Sequence, residues 1–524
     1  MADRLAIHTS SVIRRGAGLH SGREAIVFGE QRLTYGDLAE ETDRLAAQLG
    51  AAGLRPGDKV ALLGRNCVEY AVALLALHRR GFVGLPLNWR LSDHALAGTA
   101  AKFAPRAILH TEEFAGAAAR LAAAREEIVL AHSLDGGRAQ LPSAEQAARW
   151  VEENAAPPRR EDLFACISTG GTEGLPKGVP VTNAMVEACV IGLFSYESLR
   201  EDDVTMILPQ MFHNPQLYVI APLLVGGKLV IPTMPSFDSE LVLRTIESER
   251  VTRFLGVATM MTYMMDAQDR IGADIASLRS ISYGGSPFSP KTVERLVRTF
   301  QCDLLQLYGQ TETSVVVSVL GAEDHRGALA DPELRHRLGS AGRPIGTVEI
   351  RVVDDADEEV PRDRVTVGEV AVLAPTTMDG YVDQPELSAE KLRGGWCHTG
   401  DLATWDEDGF IYIVDRRNDM IISGGENVFP SAVEEVVREV PAVEEVVVIG
   451  VPDDVWGEVV TAVVLPREGE EAPAEAINEL CRERLASYMR PRAIEVVDEL
   501  PKNPSGKILR GEVKQRFAGR VGRI

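Results

Sequence analysis

Cysteine is scarce in this sequence. Six cysteines are spread over 524 residues, without a C-x-x-C pair and without the spacing of a zinc site or a disulfide framework. Folds that depend on zinc or on disulfides are therefore disfavoured, and we expect reduced thiols in a cytoplasmic protein.

Long apolar runs are also missing. No stretch reaches the roughly 18 apolar residues that a helix needs to cross a bilayer. The first residues, MADRLAIHTSSVIRRG, carry charges too early for a signal peptide and lack its sustained apolar segment. The sequence thus predicts a soluble protein with no integral membrane segment.

Positive charge is in deficit, because 55 lysines and arginines stand against 77 aspartates and glutamates, which gives a net charge of −22. Such a charge balance disfavours nucleic acids and anionic membranes, so we expect neither as a partner. An anionic ligand would have to be held by a local site.

The length and the hydrophobic pattern indicate how the chain is organised. A chain of 524 residues is too long for one ordinary core, so at least two domains are expected. From Glu24 to about Val230, strand-like runs such as KVALLG alternate with helical runs such as TYGDLAEETDRLAAQLG, which predicts an α/β fold with parallel strands. After Asp415, runs such as SAVEEVVREV and VEEVVVIGV predict a small α+β unit. We place the domains at residues 1–415 and 416–524.

One glycine-rich stretch, STGGTEGLPKGV (Ser168–Val179), has the composition of a phosphate-binding loop. It is not a Walker loop, which needs glycine before the lysine and a hydroxyl after it, because Lys177 follows a proline and precedes a glycine. Free backbone N–H groups, the hydroxyls of Thr169 and Thr172 and the charge of Lys177 still suit a phosphate. The competing interpretation is an ordinary glycine-rich turn.

Four further stretches follow in order: YGQTE (Tyr308–Glu312), HTGD (His398–Asp401), DRRNDMIISGGENVFPSAVEE (Asp415–Glu435) and PKNPSGKILR (Pro501–Arg510). Together with the glycine-rich loop, they resemble the AMP-forming superfamily of acyl-CoA synthetases, adenylation domains and firefly luciferase. The resemblance spans nearly the whole chain in the family's order. It implies a large N-terminal α/β domain of the AMP-forming ligase type and a small, mobile α+β C-terminal domain.

The resemblance also implies ATP, Mg²⁺ and CoA as cofactors. Asp401 offers two oxygens to the two hydroxyls of a ribose, and the Tyr308 ring suits adenine. Glu312 is a hard oxygen ligand for Mg²⁺, and Thr311 beside it suits a phosphate oxygen. The implied ATP- and AMP-binding residues are Thr169, Gly170, Gly171, Thr172, Gly174, Lys177, Gly284, Gly285, Ser286, Tyr308, Gly309, Thr311, Asp401 and Arg416.

Lys507 is the implied catalytic lysine, acting together with Glu312 and Thr311. When a carboxylate attacks the α-phosphate of ATP, two anions meet, and a cation on the oxygens where charge accumulates lowers the barrier. The implied products are acyl-AMP and pyrophosphate, and a thiolate then attacks the acyl group. Asp415 matches the hinge about which family members rotate the small domain between the steps. Without the other motifs, Lys507 would be assigned to an exposed loop.

The acyl acceptor and the acid are less closely defined by the motifs. The segment ISGGENVFPSAVEE is closest to that of CoA ligases, in which a glycine at position 425 leaves room for pantetheine. The implied CoA-binding residues are Ser423, Gly424 and Gly425. Transfer to a separate acyl carrier protein is the alternative, and a non-catalytic nucleotide-binding protein is a third hypothesis.

The acid is expected to be a fatty or aryl carboxylic acid. By position, its pocket is bordered by His213, Asn214, Tyr218, Val257, Tyr283 and Val315. His213 suits either a gate of the pocket or a hydrogen bond to a polar ring substituent.

Two positions depart from the family's pattern. The phosphate loop has Gly170 and Glu173 where many relatives carry hydroxyl residues, and a carboxylate beside pyrophosphate is electrostatically unfavourable. Met489 stands where many relatives have lysine, so a contact with a CoA phosphate is not expected there. Three histidines lack ligand spacing and are expected at the surface: His20, His325 and His336.

Overall fold

The computed structural model describes residues 9–135, 141–154, 158–169, 177–213, 217–285, 288–423, 426–453, 456–467, 469–470, 473–502 and 508–517. The chain divides into two compact units. The first comprises Met1–Ile350 and Val372–Cys397, and the second Arg351–Ala371 and His398–Ile524. Each unit is therefore built from two separate stretches of sequence. The predicted division into domains at residues 415 and 416 stays a prediction.

The helices of the first unit are α1 (Thr9–His20), α2 (Tyr35–Ala51), α3 (Val68–Arg79), α4 (Asp93–Phe103), α5 (Ala115–Ala123), α6 (Ala144–Glu153), α7 (Asn183–Glu197), α8 (Leu217–Val225), α9 (Ser239–Glu249), α10 (Ala258–Ile271), α11 (Pro290–Phe300), α12 (Ala322–Ala330) and α13 (Pro385–Lys391). Its strands are β1 (Glu24–Phe28), β2 (Gln31–Thr34), β3 (Lys59–Leu63), β4 (Val83–Pro86), β5 (Ala107–His110), β6 (Leu130–Ser133), β7 (Leu163–Thr169), β8 (Lys177–Thr182), β9 (Val204–Ile207), β10 (Lys228–Ile231), β11 (Arg253–Val257), β12 (Ser280–Gly284), β13 (Asp303–Tyr308), β14 (Ser318–Leu320) and β15 (Arg343–Pro344).

The described strands of the first unit form two sheets. One has nine strands in the order β15-β14-β13-β12-β11-β9-β10-β1-β2, and the other has six in the order β6-β5-β3-β4-β7-β8. Strands β9 to β13 pair in parallel where they are neighbours, as do β3 with β4 and β5. The predicted α/β fold with parallel strands is confirmed.

Helix α2 shows how local sequence sets an element of this unit. The Thr34 side chain accepts a hydrogen bond from the Asp37 backbone, and the Asp37 carboxylate accepts one from the Thr34 backbone at 3.0 Å, which forms a capping box. Leu38, Leu45 and Leu49 recur at helical spacing and are buried. Each contributes about 1.5–3 kcal/mol by leaving water, so packing selects this face.

The remaining elements lie wholly or largely in the second unit. Its strands are β16 (Glu349–Val353), β17 (Gly368–Leu373), β18 (Cys397–Trp405), β19 (Ile411–Arg416), β20 (Ile421–Ser423), β21 (Glu426–Val428), β22 (Val443–Asp453), β23 (Gly457–Pro466) and β24 (Ala493–Val496), and its helices are α14 (Pro430–Arg438), α15 (Ala474–Arg484) and α16 (Arg510–Phe517). They form one sheet in the order β16-β17-β18-β19 and a second in the order β21-β20-β23-β22, with β24 beside β23. The predicted α+β character of the C-terminal part is confirmed.

The described helices include none that is both long enough and apolar enough to cross a membrane.

Candidate functional site

Three neighbouring parallel strands of the nine-stranded sheet end side by side. The register of β11, β12 and β13 pairs Val257 with Gly284 and Gly284 with Leu307, so Gly285 and Tyr308 follow at the same edge. In α/β sheets, ligands bind outside the carboxyl ends of the strands. The fold therefore brings residues predicted for adenine and acyl contacts to one edge of the sheet.

Close backbone contacts explain two of the predicted glycines at this edge. A Cβ at Gly284 would lie 2.5 Å from the Leu307 carbonyl oxygen, and a Cβ at Gly309 would lie 1.9 Å from that of Val315. Val315 itself has a φ of 100°, a region that a β-branched residue rarely adopts. Strain of this kind persists only where the surroundings impose it, often at ligand sites. The YGQTE turn is therefore a tightly constrained structure.

The glycine-rich stretch joins two antiparallel strands, β7 and β8. Thr169 and Lys177 are directly opposite each other and form the last pair before the connecting loop. Thr169 Oγ1 is buried and has no hydrogen-bond partner among the described residues, so it suits a ligand oxygen. The other loop residues predicted to bind phosphate lie outside the described residues, as does the adenine-site serine: Gly170, Gly171, Thr172, Gly174 and Ser286.

Glu312 lies in a short 3₁₀ turn, Thr311–Thr313, shortly after β13. Glu312 is largely buried, and the Tyr381 hydroxyl donates a hydrogen bond to its Oε1 at 2.7 Å. Mg²⁺ in ATP sites commonly takes one or two protein carboxylates and completes its shell with phosphates and water. Glu312 fits this arrangement, and the described part of the chain holds no group of three or more His, Cys, Asp or Glu that would bind a metal by itself.

Tyr381 is a site residue that the sequence motifs did not reveal. Its ring lies 5.3 Å from Lys177 Nζ, while its hydroxyl contacts Glu312. Burial, followed by the charge of Glu312, raises the pKa of Tyr381, so the hydroxyl is a donor at neutral pH. Because 69 residues separate it from Glu312 in the chain, no local pattern links the two.

Two of the predicted acyl-site residues, Tyr218 and Val257, lie beside or in β11 of the same sheet. A small, partly open cavity, about large enough for one water molecule, lies against β9 and β11 and is lined in part by Ile207, Pro209, Tyr218 and Leu255. Two residues after Leu255, β11 ends at Val257, another predicted pocket residue. Tyr218 is nine-tenths buried, as an acyl-pocket wall would be.

One end of this cavity is polar, which sequence reasoning missed. Arg253 forms ion pairs with Glu197 at 3.2 Å and with Asp203 at 3.1 Å, and Ser282 donates to Glu197 at 2.6 Å. Burial raises the pKa of Glu197, against the lowering by Ser282 and Arg253. Two buried polar atoms at this cavity lack a hydrogen-bond partner among the described residues, Thr205 Oγ1 and Arg253 Nε, whereas the Tyr218 hydroxyl interacts with Tyr196.

Tyr283 does not present its side chain to this cavity. It pairs with Gly256, whereas Val257 pairs with Gly284, so the alternation of the strand directs Tyr283 to the opposite face of the sheet from Val257. There its hydroxyl contacts His325 Nε2 at 2.8 Å, and its side chain is fully buried. Any contribution of Tyr283 to an acyl pocket thus comes from its backbone. The expectation that His325 lies at the surface was wrong, because this hydrogen bond holds it in the core.

His213 lies in the turn after β9, and its side chain is exposed. Partial enclosure by protein, followed by the positive charge of Arg90, lowers its pKa to about 4. The imidazole is therefore neutral at pH 7 and able to donate or accept a hydrogen bond. Asn214, its predicted neighbour in the pocket, lies outside the described residues.

The second unit holds the predicted ribose and hinge residues. Asp401 and Arg416 are paired across β18 and β19, with 3.3 Å between Asp401 Oδ1 and Arg416 Nε, so this unit brings the two predicted ATP contacts together. Asp415 accepts hydrogen bonds from the backbone N–H groups of Arg416 at 2.7 Å and Ser431 at 2.9 Å. The predicted hinge residue is therefore anchored at the start of α14.

The remaining predicted positions are the CoA-binding residues and the catalytic lysine. Ser423 is buried in β20, and its hydroxyl has no partner within the described residues. Gly424, Gly425 and the catalytic candidate Lys507 lie outside those residues. Their roles stay predictions.

Comparison with known proteins identifies the family. A family model for AMP-binding enzymes matches residues 13–382, and one for the C-terminal domain of AMP-binding enzymes matches residues 432–507. A feruloyl-CoA synthase from an Amycolatopsis species is 37% identical over 96% of this chain and 98% of its own length. The fatty acid–acyl-carrier-protein ligase ScoC of Streptomyces coeruleorubidus is 33% identical over 99% of this chain and 98% of its own.

A solved structure shows the same architecture. The o-succinylbenzoate CoA synthetase MenE from Bacillus subtilis, in complex with its acyl-adenylate intermediate, superposes with a TM-score of 0.82 at 28% identity, over 96% of this chain and 98% of that one. The predicted large N-terminal and smaller C-terminal α/β architecture and the predicted AMP-forming acyl-CoA synthetase chemistry are confirmed. The chain belongs to the family of AMP-binding enzymes.

Proposed function

We propose that this enzyme converts an aryl carboxylic acid of the ferulate type into its CoA thioester, with Mg²⁺ and through an acyl-AMP intermediate. The observation that carries the substrate class is the 37% identity to feruloyl-CoA synthase over nearly the full length of both chains. The polar end of the cavity beside β11 supports it. A ring hydroxyl could pair with Thr205 Oγ1 or Arg253 Nε, whereas a purely aliphatic acid would leave those buried atoms unpaired.

In the first half-reaction, the acid's carboxylate attacks the α-phosphorus of ATP, a new C–O–P linkage forms and pyrophosphate leaves. Lys177 and Thr169, the last pair before the glycine-rich loop, suit the phosphates. The Tyr308 backbone and Gly285 lie at the strand ends where adenine would rest. Asp401 would accept hydrogen bonds from the ribose hydroxyls, with Arg416 beside it.

Charge is the main obstacle in this step, since two anions must meet. Bound Mg²⁺ would neutralise part of the phosphate charge. Glu312 would hold the ion, Thr311 would contact a phosphate oxygen, and Lys507 would place a cation on the oxygens where charge accumulates. Asp415 would act as the hinge that lets residues 416–524 change position between the two half-reactions.

In the second half-reaction, a thiolate attacks the acyl carbonyl and AMP leaves. Ser423, Gly424 and Gly425 would border the thiol's path, since glycine leaves space beside the backbone. CoA is the proposed thiol. The 33% identity to ScoC favours one second candidate, the phosphopantetheine arm of an acyl carrier protein.

The first test is pyrophosphate release with ATP, Mg²⁺ and matched acids, followed by mass detection of products with CoA or with a phosphopantetheinylated carrier. Comparing ferulate, 3-methoxycinnamate, benzoate and octanoate shows how activity depends on the aromatic ring, on the ring hydroxyl and on the length of the acyl chain. We expect feruloyl-CoA, and a preference for ferulate over 3-methoxycinnamate that Thr205→Val reduces. Preference for octanoate would refute the aryl assignment, and thioester on the carrier alone would establish the second candidate.

A further inference from the structure

A segment of the first unit, Met378–Lys391, is fastened to the turn that carries Glu312. The backbone N–H of Met378 donates to the Glu312 carbonyl at 2.9 Å, and the Tyr381 hydroxyl donates to Glu312 Oε1 at 2.7 Å. Lys391 Nζ donates to the Gln310 side chain at 3.1 Å. The segment, which we name the strap, thus forms three hydrogen bonds with this turn and the residue before it.

The same strap also reaches the second sheet of the unit. The Val382 backbone N–H donates to the Gly178 carbonyl at 3.0 Å, directly beside Lys177 in β8. Lys177 Nζ lies 5.3 Å from the centre of the Tyr381 ring, within the range of a cation–π contact. One side chain therefore contacts the candidate phosphate lysine through its ring and the candidate metal carboxylate through its hydroxyl.

Tyr381 is itself rigidly placed. It is only 7% exposed and packs in the hydrophobic core of the unit. Its backbone N–H donates to Ser388 Oγ at 2.8 Å, and that hydroxyl donates to the Gln384 carbonyl at 2.6 Å in the cap of α13. A hydroxyl on a fixed ring can hold a carboxylate in one rotamer.

We propose that Tyr381 is a positioning residue for the nucleotide site: it fixes the Glu312 carboxylate by binding Oε1, which leaves Oε2 to a metal–ATP complex, and it keeps Lys177 beside the phosphates. This inference rests on the proposed function. Partners of this kind, behind the metal-binding carboxylate, typically change metal affinity by about 10–100-fold. Tyr381 acts through Glu312 and Lys177 and does not touch the reacting atoms.

Tyr381→Phe tests the hydroxyl, because phenylalanine keeps the ring beside Lys177. The matched control is Tyr412→Phe, which removes a hydroxyl that donates to Asp406 at 2.9 Å in the second unit. Electron paramagnetic resonance of Mn²⁺ in the presence of ATP measures the metal affinity of the site without turnover. We expect about tenfold weaker Mn²⁺ binding and a matching rise in the Mg²⁺ needed for adenylation in Tyr381→Phe alone.

Thioester formation from supplied acyl-AMP should be unchanged in both variants. In a Glu312→Gln background, Tyr381→Phe should add little further loss, because the two residues act as one unit. Unchanged Mn²⁺ binding in Tyr381→Phe would overturn the inference, as would an equal loss in both half-reactions with a lower melting temperature. If the wild-type enzyme failed to bind Mn²⁺ with ATP or to adenylate any acid, the proposed function itself would fail.

Discussion

Two carboxylate sites, one in each unit, differ in how the protein surrounds them. Within the described residues, the Glu312 side chain accepts one hydrogen bond, from Tyr381. In the second unit, Glu434 accepts from the Val448 backbone at 2.9 Å, from Arg438 at 2.9 Å and from Arg510. A carboxylate saturated by its own chain has a structural role, whereas one with a single positioning partner keeps capacity for a ligand.

The cluster around Arg510 shows what saturation means energetically. Arg510 also pairs with Asp419 at 2.9 Å and with Asp415 at 3.6 Å, so one guanidinium holds three acidic residues. Removing one partner from such a buried network leaves charge without compensation. The PKNPSGKILR segment thus contains a cation for structure, Arg510, three residues after the cation proposed for catalysis, Lys507.

Mutating each of these two cations distinguishes their roles, and the largest effect is expected at Lys507. Lys507→Ala should slow adenylate formation about a thousandfold, because charge at the α-phosphate loses its stabilisation. Thioester formation from supplied acyl-AMP and the melting temperature should change little. Rapid-quench measurement of both half-reactions checks this, and equal slowing of both would remove Lys507 from the proposed role.

Arg510→Met should have the reverse signature. We expect a loss of about 3–5 kcal/mol in the free energy of unfolding of the second unit, because the buried Asp415 loses its cationic partner and the buried Glu434 keeps only Arg438. Urea unfolding measures it, with Arg326→Met as the control. Arg326 pairs with Asp303 at an exposed site, where loss of the pair costs roughly 0–1 kcal/mol. A similar small loss for both variants would show that the Arg510 cluster is not a structural centre.

Glu312→Gln tests whether Glu312, unlike Glu434, binds a ligand. Loss of the negative charge should reduce adenylation about a hundredfold, since the amide is a poor Mg²⁺ ligand, while it still accepts the Tyr381 hydrogen bond. Calorimetric unfolding should place its melting temperature near that of the wild type. A destabilised enzyme with normal turnover per folded molecule would instead put Glu312 in the structural class with Glu434.

Gly309→Ala should have a smaller effect on the same turn. The added Cβ would meet the Val315 carbonyl, so the turn must shift and adenylation should fall about tenfold. Gly327→Ala in α12 is the control, because no atom lies within 4 Å of its new Cβ and alanine favours a helix. Steady-state kinetics of both variants make the test, and full activity of Gly309→Ala would contradict a tightly constrained turn.

The smallest effect is a dependence of stability on pH. Burial lowers the pKa of His325 to about 4, whereas an unfolded histidine titrates near 6.5. Between these values the unfolded state binds more protons, so stability falls as pH falls, by at most about 1.4 kcal/mol per pH unit for this group. Urea unfolding at pH 7, 6 and 5 should show a shallower slope for His325→Gln than for His94→Gln, an exposed control. Equal slopes would contradict the assignment.

Sequence patterns predicted the strands and helices well where hydrophobic alternation is local. KVALLG is β3, and SAVEEVVREV contains most of α14. They did not predict Tyr381, because its partner Lys177 begins β8 and its partner Glu312 lies in the turn after β13, so the contact arises only when the unit folds. They also did not predict the ion pairs of Arg253, because a charged residue at the start of a strand usually faces solvent.

The interleaving of the two units has a consequence for synthesis on the ribosome. Residues 1–350 emerge first, yet the strap that completes their core belongs to residues 372–397, behind a stretch of the second unit. At roughly 5–20 residues per second, the nascent first unit waits some seconds with part of its apolar surface and the Glu312 turn uncovered. Rare codons placed between positions 350 and 397 would prolong that exposure, so they should increase the demand for chaperones more than the same codons placed after residue 450.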